Sequence, residues 1–354
     1  MPETPGTAKH RIGKPPADKV RRLIVCALGL LLATAGCEGP RPPMFRVGML
    51  CGLDALAPAL DGFRAKMTAL GYIEGRDIAY DARISRYDPA LERRVLEKFI
   101  ADRVDLIVAV TSQVALAAKE AARGTGIPVV FCQATVEDTH LINSIREPGD
   151  NITGVRYPTL DLARKRFEIL HELVPAAKRF WTPYARGVRI VPGQLEALRQ
   201  KAAAAGVTLV ESPVDQASDL LAELERREQN EDIGFDAVLF ISEPLALSPG
   251  VFPAIGRAAK ARRIPMGGAA ATMDGYSTLF GVAADNVQAG ELAAQQAHKI
   301  LRGAPAGAIP VASPDIFFQI NHAEAQRLGL RVPLGLLKEA NEIIRSTPDG
   351  LEAP

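Results

Sequence analysis

The sequence predicts an α/β protein of two similar halves, each a parallel sheet wound with helices on both faces. Short strand-like runs alternate with amphipathic helical stretches along the body of the chain, the pattern of parallel strands joined by crossovers. The runs are continuously apolar, as in Val-Asp-Leu-Ile-Val-Ala-Val at 104–110, and strands of that kind are buried on both faces. The pattern restarts after the turn-forming Gly149-Asp150-Asn151. With 354 residues, 47% apolar and 23% charged, the chain has the length for two domains and the composition of a globular protein, which excludes a disordered one.

The elements follow in order. Residues 45–51 form a short apolar run, and behind it Leu56, Leu60, Phe63, Met67 and Leu70 recur at three- and four-residue steps, a strand followed by a helix. Residues 78–82 give a second strand, and Leu91, Val95, Leu96, Phe99 and Ile100 mark a helix whose polar face carries Glu92, Arg93, Arg94 and Lys98. A strand at 104–110, a helix at 114–122 and a strand at 127–132 complete the first half. After a strand at 152–155, helices are predicted at 160–174, 190–205, 216–229 and 251–262, separated by strands near 179–183, 207–210, 236–241 and 264–267. Pro183 has no N–H to give a ladder and is expected to end its strand. An amphipathic helix beyond Asn286, a strand at 316–320 and a short helix at 322–329 follow.

The N-terminus reads as an export signal. Residues 1–36 hold six basic and two acidic side chains, and 23–36 then run without a charge. Fourteen residues of helix span roughly 21 Å, short of a hydrocarbon core of about 30 Å, so a signal h-region fits better than a spanning helix. Thr34-Ala35-Gly36-Cys37 resembles a bacterial lipobox, in which Cys37 becomes the lipidated first residue; an uncleaved anchor is the alternative. Residues 37–43 then form a polar tether, and 346–354 a C-terminal tail. Without the signal the chain is mildly acidic, which offers no broad attraction to nucleic acid.

Four motifs occur in order: Leu70-Gly71-Tyr72-Ile73-Glu74-Gly75-Arg76-Asp77-Ile78, the Pro-Gly-Asp-Asn-Ile-Thr-Gly stretch at 148–154, Ile320-Asn321, and Leu328-Gly329-Leu330-Arg331-Val332-Pro333. Together with the signal they resemble the ABC transporter substrate-binding protein family whose best understood members bind tryptophan or tyrosine, over roughly 44–345. The resemblance implies a type I periplasmic-binding-protein fold, two doubly wound parallel-sheet lobes joined by three crossing segments. It implies a monomer lipid-anchored on the periplasmic side, partnered by an inner-membrane permease and ATPase, with no cofactor and no catalysis. The lobes are expected at 44–155 plus 284–310 and 156–283 plus 311–345, with crossings near 154–160, 281–286 and 308–316.

Ligands of doubly wound sheets sit outside the carboxyl ends of the strands, beside helix N-termini. That rule selects Cys51 and Gly52 after the first strand, Thr111 and Ser112 after the third, and Gln133 and Thr135 after the fourth. The resembling family commonly has Asp-Pro where Thr135-Val136 stands, which leaves the ligand's identity open. On the second half the rule selects Trp181 and Tyr184, aromatics suited to stack on a planar ligand, with Ser242 and Glu243. Asp285 stands five residues before Gly290, a spacing shared with the family, and a carboxylate there suits a ligand ammonium group. Plainer roles compete: Thr111, Ser112, Asp285 or Asn286 as helix caps, Trp181 and Tyr184 as packing beneath a loop. In a 2-1-3-4-5 strand order Cys51 and Cys132 lie two strand spacings apart, roughly 9 to 10 Å, too far for a disulfide.

Enzyme readings find little to stand on. There is no Gly-x-Ser-x-Gly, no Walker loop and no metal-ligand spacing, and the first strand leads into Leu50-Cys51-Gly52-Leu53-Asp54 in place of Gly-x-Gly-x-x-Gly. A transcriptional regulator of this fold would need a DNA-binding helix pair where the signal stands. The rival reading is a binding protein that presents its liganded form to a membrane receptor or histidine kinase.

Overall fold

The computed structural model describes residues 44–346, apart from Asp138, Pro249 and Asp274. The expected signal at 1–36, Cys37 with its tether, and residues 347–354 of the tail lie outside the described residues.

Five parallel strands make the first sheet: β1 (Phe45–Cys51), β2 (Ile78–Ile84), β3 (Leu106–Val110), β4 (Val129–Ala134) and β5 (Ile152–Arg156), in the order β2-β1-β3-β4-β5. Because successive side chains point to opposite faces, one apolar run feeds two cores. Val47, Met49, Cys51, Val108, Val110, Val130 and Cys132 pack on one side with helix α1 (Pro58–Ala69). Leu50, Ile107, Ala109, Val129 and Phe131 pack on the other with α2 (Pro89–Ala101) and α3 (Ser112–Ala121). Cys51, Val110 and Cys132 are in register across β1, β3 and β4, and both cysteines are free, as the strand order predicted. Burial raises the pKa of both thiols.

The second sheet runs β7-β6-β8-β9, all parallel, from β6 (Arg179–Ala185), β7 (Thr208–Val214), β8 (Ala237–Leu239) and β9 (Met266–Gly267). A parallel bridge from Gly268 to Gly281 joins it to β12 (Phe280–Ala284), which pairs antiparallel with β13 (Ile316–Asn321), itself parallel to β14 (Glu342–Ile344). Helices α4 (Thr159–Leu173) and α5 (Val191–Ala205) cover one face, α6 (Ala217–Glu228) and α7 (Val251–Arg262) the other. A small hairpin, β10 (Thr272–Met273) and β11 (Tyr276–Ser277), and the C-terminal helices α9 (His322–Leu328) and α10 (Leu334–Glu339) complete the chain.

The expectation that Pro183 ends its strand is overturned. Pro183 lies within β6, opposite Ser212 of β7. Lys178 and Arg186 bond toward β7, whereas the Arg179 carbonyl accepts from Asp236 N at 2.9 Å on the β8 side. By this alternation the missing N–H of Pro183 faces β8, whose ladder with β6 has already ended at Trp181 and Val238.

Three segments pass between the sheets. Tyr157 and Pro158 link β5 to α4; Asp285 alone links β12 to α8 (Asn286–Leu301), which packs on α1; residues 302–315 return to β13. The third segment is fastened to β5 by Ala312 N to the Gly154 carbonyl, 3.0 Å, and Thr153 Oγ1 to the Ile309 carbonyl, 2.7 Å. All strands parallel to β5 and β12 end on the edges these crossings leave, so both sheets turn their carboxyl ends toward the junction.

Helices α1 and α8 approach through glycines. A Cβ on Gly290 would lie 1.9 Å from the Ala59 carbonyl oxygen, and one on Gly62 would lie 2.2 Å from that of Val287. Neither neighbour is a flexible side chain, so the helices must separate to accept any larger residue. Gly290→Ala is expected to destabilise the protein by about 1–3 kcal/mol in a denaturant melt; an unchanged midpoint would contradict this packing.

Candidate functional site

Backbone strain gathers at the carboxyl edge of the first sheet. Arg86 (φ 50°), Tyr87 (φ 60°) and Thr111 (φ 92°) adopt positive φ just after β2 and β3, and Gln133 (φ 54°) does so near the end of β4, where the register with β5 shifts. Such conformations persist only where the surroundings over-determine them, and they cluster at binding sites. Here the bracing is visible. Ser85 N donates to the Cys51 carbonyl (2.8 Å), and the buried Glu92 carboxylate accepts from Ser85 Oγ (2.9 Å) and Gln113 Nε2 (3.0 Å). Thr111 N donates to the Cys132 carbonyl, 3.0 Å.

Gly52, Tyr87 and Thr111 meet at this rim. A Cβ on Gly52 would lie 2.6 Å from Thr111 Oγ1 and 2.9 Å from Tyr87 Cε1. Thr111 is 3% exposed, and its hydroxyl has no hydrogen-bond partner among the described residues. Gln133 is 4% exposed; its Nε2 donates to Asn286 Oδ1 at 2.7 Å, while Oε1 is left without a partner. Buried polar atoms without partners are costly, and these two lie together with the strained backbone at the carboxyl edge of the first sheet. No side chain caps α3, which leaves its first-turn N–H groups open at the same edge. Ser112 Oγ instead accepts from Thr135 N (2.9 Å), and Thr135 Oγ1 meets Thr159 Oγ1 (3.1 Å) at the first crossing. Cys51 stays in the core beneath, its Sγ donating to the Leu53 carbonyl at 3.1 Å.

The edge of the second sheet differs from expectation. Trp181 is fully buried, stacked on Phe235 at 4.7 Å between ring centroids, with its Nε1 donating to Ser212 Oγ at 2.7 Å. Tyr184 packs into the core under α4 and α5 and gives its hydroxyl to Glu211 Oε2, 3.1 Å. Both are packing residues because β6 runs on to Ala185, which carries the true rim past them. Glu243 is also committed, for its carboxylate accepts from the N–H groups of Ala185, Leu245 and Ala246 and orders the loop after β8. Burial raises its pKa, and those three bonds pull the other way. Ser242 does reach the junction: its Oγ lies 2.9 Å from the Tyr157 hydroxyl and accepts from Arg166 Nη1 at 2.7 Å.

Asp285 caps α8, accepting from Gln288 N at 2.9 Å. The spacing from Asp285 to Gly290 is therefore accounted for by a cap and a close helix crossing, and its neighbour Asn286 is the residue that touches Gln133. Sequence reasoning missed Tyr87, Tyr157, Thr159, Arg166 and Asn286. The signal for Tyr87 was present, since it is an aromatic after a strand, just before the Asp88-Pro89 helix start. Arg166 also carried a signal, for it stands three and four residues from Ala163, Leu162, Ile169 and Leu170, a cation on the apolar face of α4.

A groove of about 890 Å³ runs between α2 and α3 and not at the strand ends. Among the described residues no group of three or more His, Cys, Asp or Glu side chains is placed to hold a metal, and no helix is long and apolar enough to cross a membrane.

Two doubly wound sheets joined by three crossings, with their carboxyl edges at the junction, define a type I periplasmic-binding-protein-like fold. Residues 47–344 match the sequence model of the family described as ABC transporter substrate binding protein, and the chain belongs to that family. A tyrosine-binding protein of Clostridioides difficile (strain R20291) is 25% identical over 265 residues, 73% of each chain. A Streptococcus pneumonia protein solved in complex with L-Trp superposes with a TM-score of 0.71 at 21% identity, covering 85% of this chain and 100% of that one. A ligand-free, open substrate-binding protein with adhesive properties from Clostridium difficile gives 0.70 at 21% identity, with coverage of 86% and 100%. The chain is thus an extracytoplasmic binding protein for small ligands that works with an ABC transporter, and not an enzyme.

Trp181 is the only tryptophan of the chain, which makes its burial directly testable. Native emission is expected to be blue-shifted and weakly quenched by iodide; strong quenching in the folded protein would return Trp181 to the cleft.

Proposed function

We propose that this chain is the ligand-capturing lipoprotein of an ABC uptake transporter. Lobes of 44–155 plus 284–310 and 156–283 plus 311–345 close over one amino-acid-like or aromatic ligand. Cys37 carries the lipid, residues 37–43 are the tether, and the monomer delivers its ligand to an inner-membrane permease and ATPase. The observation that carries this reading is the pair of buried, unpartnered groups, Thr111 Oγ1 and Gln133 Oε1, on strained backbone at the junction of the sheets. Tyr87, 40% exposed beside them, supplies the aromatic surface once assigned to Trp181. Relatives described as tyrosine-binding and as complexed with L-Trp support the ligand class.

Thermal-shift titration of the purified protein with L-tyrosine and L-tryptophan tests it. A ligand that binds only the folded state adds about 2.7 kcal/mol of stability at one hundred times its Kd. Thr111→Ala is expected to weaken that shift by about tenfold in ligand concentration. The unliganded Tm should barely move, since the hydroxyl gives up no internal bond. Absence of any shift with both amino acids would overturn the ligand class. Cys37→Ser is expected to abolish lipidation; an acylated variant would refute the anchor.

A further inference from the structure

Arg166 is the one basic side chain among the buried described residues, at 1% exposure. It leaves α4 beneath the junction and donates Nε (2.9 Å) and Nη2 (2.6 Å) to the Val282 carbonyl of β12, and Nη1 to Ser242 Oγ. Among the described residues no carboxylate comes within 4.0 Å of it, although most of the chain's other ion pairs sit on the surface, where they matter least. A buried guanidinium held only by neutral acceptors carries an uncompensated charge.

Hydroxyl arithmetic shows where that charge is felt. Ser242 Oγ has one proton and two lone pairs, and Arg166 occupies one lone pair. Ser242 and Tyr157 share one proton in their 2.9 Å contact, so one hydroxyl proton of the pair stays uncommitted. Both residues are half-buried at the junction, and Tyr157 N is tied to the Ala134 carbonyl (2.9 Å), next to Gln133. The second-sheet side thus offers an O–H donor backed by a buried cation. The first-sheet side offers Gln133 Oε1, an acceptor awaiting a donor.

We infer that Arg166 is a positioning residue that makes the Tyr157–Ser242 hydroxyl pair a seat for a ligand oxyanion, so that an amino-acid-like ligand places its carboxylate there and a donor group toward Gln133. Arg166 does not touch the ligand; it fixes Ser242 and supplies the field that favours an anion over a neutral oxygen. The open first turn of α3 is the competing seat for a carboxylate, and the experiment separates the two. This inference rests on the amino-acid-like reading of the ligand.

The experiment is calorimetric titration of the purified protein with L-tyrosine and L-tyrosinamide, which differ in carboxylate against neutral amide. Wild type is expected to prefer the acid by at least about tenfold, the worth of a hydrogen bond to a charged group. Tyr157→Phe should cost the acid about tenfold and the amide much less. Arg166→Lys should keep most of the preference, and Arg166→Gln should remove it. Circular dichroism checks that each variant folds, and Tyr157→Phe decides the matter should Arg166→Gln unfold. A preference unchanged in Tyr157→Phe, or in folded Arg166→Gln, overturns this inference while leaving the ligand class intact. Where wild type takes only L-tryptophan, the comparison is made with L-tryptophan and its amide; failure to bind either acid overturns both.

Discussion

A single residue separates the sheet of one half from the helix layer of the other, and the rest of the structure is arranged around that constraint. β12 is paired in the second sheet through Ala284, and α8 begins at Asn286 on the first. With no loop to spare, Asp285 must cap the helix itself. Helix α8 then needs Gly290 and Gly62 to lie against α1 at the distance the junction dictates. The same geometry delivers Asn286 to Gln133. It also brings Gln288 to Asp315, 2.6 Å from Nε2 to Oδ2, so the second and third crossings run side by side. The first crossing joins them through Arg156 Nε to Ser313 Oγ, 2.6 Å. Three connections fastened side by side are the arrangement that a hinge between the sheets requires.

Rigidity in the frame contrasts with strain at the rim. Tyr87, Thr111 and Gln133 hold unfavourable backbone conformations because Glu92, Cys51 and Cys132 anchor the loops from below. The rim is therefore pre-formed, and a ligand captured there as proposed is spared the entropy of ordering it. On the proposed reading the unpaired polar atoms are the complement of the ligand, and they select against groups that cannot bond to them.

Much of the fold was legible because the chemistry that writes it is local. Apolar runs such as 104–110 declare strands buried on both faces, and the strand order fixed the separation of Cys51 from Cys132. The burial of Trp181 and Tyr184 was not legible, and one residue explains it. Pro183 looks like a strand end, which places Trp181 and Tyr184 at a rim. In the structure β7 continues the ladder to Ala185, because the proline faces past the end of β8. Asp285 and Gly290 were legible as a pair but not as a cap and a crossing, since that meaning depends on α1 being opposite. Arg166 was legible as a cation on the apolar face of α4, but the Val282 carbonyl and the Ser242 hydroxyl that receive it are brought there by tertiary packing alone. The two-residue strands β10 and β11, and the late pair α10 and β14, are too short to show a period.

The central claim is that the crossings form a hinge and that ligand captured between the rims draws the halves together. Small-angle X-ray scattering of the purified protein, titrated with L-tyrosine, measures this directly. The radius of gyration is expected to fall saturably, in step with the binding curve; saturation binding with superimposable scattering curves would contradict closure.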